Sequence, residues 1–241
     1  MSQDIRVQRR LTFSQDADQE PNTFGDFGPD RVSANYEYTE LALDDTNKYT
    51  PFIDTTSAVA LASGGITLTT AATDTKTCTQ TQGGIWWYPN QAAAVEMKFR
   101  IDVITTVAIF AGFSDAVSEA SGLLPFSITT ATLTDTCTNG VGFLFDTNQT
   151  LSYFNVVNTN AGTEAFTQLA STRVPVAATD ITIKVSLDTS GNARFYWNGT
   201  QVAYKASAVA AATPLVPFFG IRNNSAAAHV ATLRRVRAWQ N

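Results

Sequence analysis

Charged residues are scarce in this chain. Lys, Arg, Asp and Glu make up 15% of its 241 residues, against about a quarter in an average soluble domain. Polarity is carried instead by Thr, Ser, Asn and Gln. Thr suits the solvent face of a strand, because a β-branched side chain packs well on a pleated surface. The net charge is −5, and no run of Lys and Arg forms the basic stripe of a general nucleic-acid binder, so nucleic acid is not an expected partner. No apolar run approaches the roughly 18 residues that cross a membrane, so a membrane is not an expected partner either. The segment Met1-Ser2-Gln3-Asp4-Ile5-Arg6 lacks the apolar core of a secretion signal, which sets the expectation of synthesis and folding in a cytosol.

Residues that carry chemistry are just as sparse. The single histidine, His229, lies in a polar segment before the last apolar run, where a structural surface role is expected. Any Ser-His-Asp or Cys-His arrangement would have to pass through it, and its neighbourhood shows no base held by an orienting carboxylate. Cys78 and Cys137 each stand between two threonines. They are either two separate thiols in strands or one disulfide. The disulfide would close a loop of about 60 residues and add about 3–4 kcal/mol, though a reducing cytosol disfavours it. Two distant cysteines and one histidine make no zinc motif. Asp44-Asp45, Asp188 and Asn223-Asn224 could offer oxygens to calcium but lack a diagnostic spacing, and turn formation accounts for them. No metal and no cofactor is expected. There is no convincing amphipathic helix and no repeat of fixed period, hence no glycine-rich phosphate loop between a strand and a helix.

What the chain has is strand pattern. Ile181, Ile183, Val185 and Leu187 alternate with Thr182, Lys184 and Ser186, the period of two of a half-buried strand. Ser190-Gly191-Asn192 and Asn198-Gly199 then supply turn residues, and Asn-Gly is the strongest short hairpin signal. Three antiparallel strands are therefore expected between Ile181 and Tyr204. Val95, Met97, Phe99, Ile101 and Val103 are expected to face inward, with Glu96, Lys98, Arg100 and Asp102 outward. A slip of one residue would bury those four charges, so the register is strongly specified. Val107 to Phe113 is almost continuously apolar, as in a strand covered on both faces. Residues 115–139 read as a long irregular connection. Gly140–Asp146 and Leu151–Val157 read as a hairpin, and Glu164–Leu169 as a further strand. Leu215–Ile221, entered through Pro214 and Pro217, reads as an edge or bulged strand. In the last strand, Val230–Trp239, Leu233 and Val236 have opposite parity, and a bulge at Arg234-Arg235 would bring both to the core. The fold class is all-β, an antiparallel two-sheet sandwich.

The first 35 residues differ. A basic cluster (Arg6, Arg9, Arg10) precedes an acidic stretch dotted with Gly and Pro (Asp16, Asp18, Glu20, Asp26, Asp30). They read as an extended arm, residues 1–35, ahead of a sandwich domain over 36–241. Arg6, Arg9 and Arg10 are the candidate contacts of that arm with an acidic partner surface. Trp86, Trp87 and Tyr88 are candidates for a carbohydrate platform, or else a run that splits between core and rim. Paired carboxylates for glycoside hydrolysis need to lie about 5–10 Å apart. Glu96 and Asp102 share one strand face at a separation of roughly 20 Å, too far to flank one bond.

The order of these pieces carries a resemblance: the aromatic run, the strand from Val95 to Ile101, Ala111-Gly112-Phe113-Ser114-Asp115, and Gly140-Val141-Gly142-Phe143. Ile181–Leu187, Phe195-Tyr196-Trp197-Asn198-Gly199, Phe218-Phe219-Gly220-Ile221-Arg222-Asn223 and the closing Leu233–Trp239 follow. Together they resemble concanavalin A-like (laminin G-like) jelly-roll domains, in particular those of tailed-bacteriophage virion proteins on capsids or fibres. The resemblance implies a jelly-roll sandwich with an extended amino-terminal arm. It also implies a structural virion role as a capsid decoration or auxiliary head protein, docked on a major capsid protein or other virion protein and assembled in the host cytoplasm. A homo-oligomer is implied, a trimer by family analogy. Lectins and glucanases share the superfamily, so the alternative it implies is a carbohydrate-binding module for host adsorption, with a glycan as partner. Its glucanases carry a Glu-x-Asp-x-Glu strand, where this chain has Glu96-Met97-Lys98-Phe99-Arg100. No catalytic residue and no enzymatic activity are therefore expected.

Overall fold

Alternation of side chains along extended backbone organises this molecule, and the strands it produces stack into two antiparallel sheets. The structure is a computed structural model and describes residues 36–37, 49–53, 57–62, 65–73, 77–82, 87–116, 124–150 and 152–240. The arm assigned to residues 1–35 lies outside the described residues. The strands in chain order are β1 (Tyr36–Glu37), β2 (Tyr49–Ile53), β3 (Ala58–Ala62), β4 (Gly65–Thr69), β5 (Thr77–Gln82), β6 (Ala94–Ile101) and β7 (Val107–Ser114). They continue with β8 (Phe126–Thr129), β9 (Thr132–Asp135), β10 (Gly140–Asp146), β11 (Asn155–Asn160) and β12 (Thr163–Gln168). The remainder are β13 (Ile181–Leu187), β14 (Ala193–Trp197), β15 (Thr200–Lys205), β16 (Val216–Asn223) and β17 (Val230–Trp239). One sheet, here sheet A, has the order β15-β14-β13-β6-β17-β4-β3, with β1 also paired to β17. Sheet B has the order β12-β11-β10-β7-β16-β5-β2, and β8 and β9 form a separate hairpin.

The core lies between the sheets. From sheet A it takes Val95, Met97, Phe99, Ile101, Ile181, Ile183, Val185, Phe195, Leu233 and Val236; from sheet B, Ile109, Phe113, Phe143, Phe145, Val156, Phe219 and Ile221. Each such side chain, fully buried, contributes roughly 1.5–3 kcal/mol. Phe99 and Phe219 meet across the layers with ring centroids 5.1 Å apart. Phe143, Phe154 and Trp197 form a second aromatic knot, Phe154 and Trp197 lying 4.9 Å apart in an edge contact. The Asn198-Gly199 turn joins β14 to β15 with both residues at positive φ, 47° and 81°, as the mirror-image hairpin turn demands. The register of β17 shifts between Leu233 and Arg235. That bulge places Leu233 and Val236 on the core side together, both 3% exposed.

Five expectations need correction. The Val95 strand ends at Ile101, and Val103 is exposed. The Asp102 carboxylate accepts the N–H groups of Val103 and Val230 and turns the chain out of the sheet. Pro217 does not mark an edge, because β16 is central, between β7 and β5. Its proline is accommodated because the β5 ladder begins one residue later, at Phe218. The hairpin partner of β10 starts at Asn155 rather than Leu151; Phe154, just ahead of the ladder, is spent on the aromatic knot. Residues 115–139 are not merely irregular, since β8 and β9 lie within them. His229 is not on the surface but 3% exposed. Its backbone N–H donates to Thr70 Oγ1 at 2.9 Å and its Nε2 lies 3.2 Å from Thr106 Oγ1.

Candidate functional site

Two outward faces could serve a partner, and they differ in kind. The outer face of sheet B presents Ala108 and Phe110 from β7, Leu144 from β10, Val157 from β11 and Phe218 from β16. Apolar residues on both faces of a strand need cover on both, and the chain supplies it. Leu124, Phe126, Ile128, Leu133 and Cys137, from and around the β8–β9 hairpin, close over them as a second buried cluster. Phe110 lies 5.3 Å from Phe126 and 5.9 Å from Phe218. A Cβ on Gly142 would come within 2.6 Å of the Phe110 ring, so glycine there leaves the ring its place.

A buried ion pair pins this cover at one end. Asp146, fully buried at the end of β10, takes Arg222 Nη2 at 2.9 Å and the Ile128 N–H at 3.1 Å on one oxygen. On the other it takes Asn224 Nδ2 at 2.8 Å and the Asn148 N–H at 3.0 Å. Four donors satisfy both oxygens, the condition under which a buried carboxylate is tolerated. At the other end, the Asp115 carboxylate caps the N–H groups of Thr138 and Asn139. Cys137 is free and buried, so the disulfide alternative is not realised. Burial pushes its thiol up to about 12, leaving almost no thiolate at neutral pH and therefore a poor nucleophile.

The outer face of sheet A is ionic. Strand parity points Glu96, Lys98 and Arg100 of β6, Lys184 of β13, Arg194 of β14, and Arg235 and Arg237 of β17 away from the core, and the bulge adds Arg234. Asp180, just before β13, gathers three of these cations: Lys98 at 3.2 Å, Arg100 at 3.2 Å and Arg234 at 2.8 Å. Glu96 pairs with Arg235. Aromatic rings interleave: Lys184 lies over Tyr196 at 4.9 Å and over Trp239 at 5.4 Å, Arg237 over Trp239 at 5.6 Å and Arg194 over Tyr204 at 5.7 Å. Among the residues whose side chains are described, seven cations share this face with Glu96 and Asp180. The linear sequence shows no basic stripe because these residues come from four strands.

Of the residues singled out from sequence, Arg6, Arg9, Arg10, Asp44, Asp45 and Trp86 lie outside the described residues. Trp87 is in the core, 2% exposed, bridged to Leu215 through both backbone groups at 3.1 and 2.8 Å. Its ring is not available to stack on a sugar in this arrangement. Tyr88 is half-buried, its N–H donating to Gln240 Oε1. Asp188 is a turn residue, accepting the Ser190 and Asn192 N–H groups and Asn192 Nδ2. Partial burial works against its charge, but these hydrogen bonds and Arg194 outweigh it and hold its pKa below the ordinary 3.8. Asn223 reaches the carbonyls of Ala71, Thr73 and Ala227. No group of three or more metal-binding side chains occurs among the described residues, and none of their helices is long and apolar enough to cross a membrane.

No protein-family model matches the sequence, and no curated protein does. Solved structures do. Bacillus licheniformis β-glucanase superposes with a TM-score of 0.60 at 10% identity, covering 88% of this chain and 100% of that one. Peanut lectin with a 9mer peptide gives 0.58 at 13% identity, covering 88% and 98%. The metal-free carbohydrate recognition domain of Emp46p gives 0.57 at 12% identity, covering 84% and 95%. The fold is a concanavalin A-like jelly roll. Within it, identities this low speak for the backbone alone. The β8–β9 cover and the cationic face of sheet A are features of this chain's own side chains.

Proposed function

We propose that this concanavalin A-like chain is a non-catalytic structural protein of a bacteriophage virion, a capsid decoration or auxiliary head protein. On this reading the sandwich stands on the shell. Residues 1–35 reach the major capsid protein or another virion protein through Arg6, Arg9 and Arg10. Assembly takes place in the host cytoplasm, and copies associate as a closed oligomer, a trimer in the first instance. Reinforcement comes from apolar area buried between neighbours.

The observation that favours a role without catalysis is how the carboxylates are used. Asp146 is committed to Arg222, Glu96 to Arg235, Asp180 to three cations, and Asp102, Asp115 and Asp188 to backbone N–H groups. Glycoside hydrolysis needs an acid and a base, or a nucleophile, poised across one sugar bond, and these six are engaged elsewhere. The test is occupancy on purified shells. The full-length chain carrying Arg6→Ala, Arg9→Ala and Arg10→Ala should lose binding to shells that the unaltered protein decorates. Undiminished occupancy would remove the arm from the interface, and no binding by either protein would remove the virion role.

A second reading, a carbohydrate-binding module for host adsorption, draws support from the likeness to lectin structures and from Tyr88, which is half-buried where Trp87 is fully buried. Retention on a glycan array that Tyr88→Ala abolishes would favour it over the first.

A further inference from the structure

We propose that β12, the free edge of sheet B, is a dimerisation strand: it pairs antiparallel with β12 of a second copy of this chain, centred on Phe166.

The edge is open and undefended. β12 ends the strand order of sheet B, and all six of its residues, Thr163–Gln168, are exposed. Phe166 among them is 37% exposed. Edge strands commonly carry a lysine, a proline or a bulge that discourages pairing with another chain. β15, an edge of sheet A, has two of these, Lys205 and a register shift in its pairing with β14. β12 has none. It reads Thr-Glu-Ala-Phe-Thr-Gln, and its register with β11 runs unbroken from Asn155↔Gln168 to Asn160↔Thr163.

Backbone parity shows which groups the edge offers. Ala161 and Gly162, at φ 50° and 78°, make the two-residue turn between β11 and β12, which closes on a hydrogen-bonded Asn160–Thr163 pair. At the other end the Leu169 N–H donates to the Phe154 carbonyl at 2.9 Å. Hydrogen-bonded and non-hydrogen-bonded pairs alternate along an antiparallel ladder. Thr163, Ala165 and Thr167 therefore direct their backbone groups to β11. The N–H and C=O groups of Glu164, Phe166 and Gln168 point the other way, to the open side.

The same parity selects a second copy as the partner. Two-fold pairing of identical strands sets one residue opposite itself, since otherwise paired side chains would lie on opposite faces. Centred on Glu164, it opposes two carboxylates, which is destabilising. Centred on Ala165 or Thr167, it sets Phe166 against Glu164 or Gln168, and a centre at either end leaves half the strand unpaired. Centred on Phe166, it sets ring against ring, Ala165 against Thr167 and Glu164 against Gln168, with no like charges meeting. Phe166 shares its face with Val157 of the second apolar cluster, so the paired rings continue that apolar surface past the edge. The outward pairs exchange about six hydrogen bonds, and two copies of sheet B become one continuous sheet. The contact is isologous and closes at two copies. It is independent of the virion reading, whose three-fold association needs another surface.

Sedimentation equilibrium of the full-length protein up to about 1 mM tests it, because one short edge is a small interface and pairing no tighter than about micromolar is expected. The unaltered chain should reach the mass of two copies, or of six where three-fold association is also present. Phe166→Lys sets two ammonium groups face to face and should raise the dissociation constant about tenfold or more. Its site is exposed, and an unchanged circular-dichroism spectrum shows that the variant is folded. Register is read separately by oxidising Phe166→Cys. Opposed Cα atoms of a hydrogen-bonded pair lie about 5.5 Å apart, within disulfide reach, so a covalent dimer is expected. Glu164→Cys, about 13 Å from its counterpart in this register, should not cross-link, and the unaltered chain with Cys78 and Cys137 is the blank. A chain that stays monomeric at every concentration, or forms trimers only, would overturn the proposal. So would a dimer unmoved by Phe166→Lys, or one in which Glu164→Cys cross-links as fast as Phe166→Cys.

Discussion

The two outer faces of this sandwich pose one problem and solve it in opposite ways. A sheet buries one side in the core and must do something with the other. On sheet B the second side is apolar, and the chain folds its own β8–β9 hairpin over Phe110, Leu144 and Phe218. On sheet A the second side carries cations and aromatic rings, with Asp180 and Glu96 among the partners of those cations. Sealing with apolar side chains is worth kilocalories per residue, whereas partly hydrated ion pairs contribute little each. Sheet B's cover therefore belongs to the stability of the fold. Sheet A's outer face, where the ion pairs of partly exposed groups such as Lys98 and Asp180 stabilise little, contributes less to it.

That contrast can be broken at points of decreasing weight. Phe126→Ala empties the centre of the cover, and a loss of about 4 kcal/mol in unfolding free energy is expected, read from a shifted midpoint in denaturant. A loss under about 1 kcal/mol would mean that the cover is not tied to sheet B as described. Asp146→Ala strips Arg222 of its charge partner and Ile128 of an acceptor, and a cost of about 3 kcal/mol is expected, with hydrogen exchange accelerating first in residues 126–135. Lys98→Ala on the opposite face removes one of three cations around Asp180 and should change stability by less than about 1 kcal/mol. A larger loss would place that face among the elements holding the fold together.

The smallest effect is the most pH-specific. The carboxylate of Asp188 is favoured in the folded state, its pKa lying below the ordinary 3.8. Its stabilisation is therefore present above that pH and is lost as the pH falls through the folded value. Asp188→Asn should be less stable than the parent near neutrality and converge with it in acid, as measured by thermal melts across pH. A constant gap at all pH would show that the turn depends on shape and not on charge.

Much of the architecture was readable from residues in a row, and the reasons are local. Ile181–Leu187 alternates without interruption, Asn198-Gly199 tolerates the two positive φ values its turn requires, and the parity conflict between Leu233 and Val236 has only a bulge as its remedy. The apolar run Val107–Phe113 announced a strand covered on both sides. What covered it was not legible, because Phe126, Ile128 and Leu133 are spread along a short Ser- and Thr-rich stretch with no sustained apolar run. Their common purpose exists only once they meet Phe110. Pro217 misled for a similar reason: a missing N–H matters only where a neighbour would have used it, and the β5 ladder happens to start beyond it.

The amino-acid sequence alone determined that this chain makes paired strands with one oily side each, because period and turn chemistry act over a few residues. It also withheld any concentrated set of reactive groups, with one histidine and few charges to deploy. Only the tertiary structure decided where the charges gather and which surface the chain covers for itself. Seven cations scattered over β6, β13, β14 and β17 become one face when antiparallel pairing places those strands side by side, a few ångströms apart. Strand order is a long-range outcome that no local pattern records.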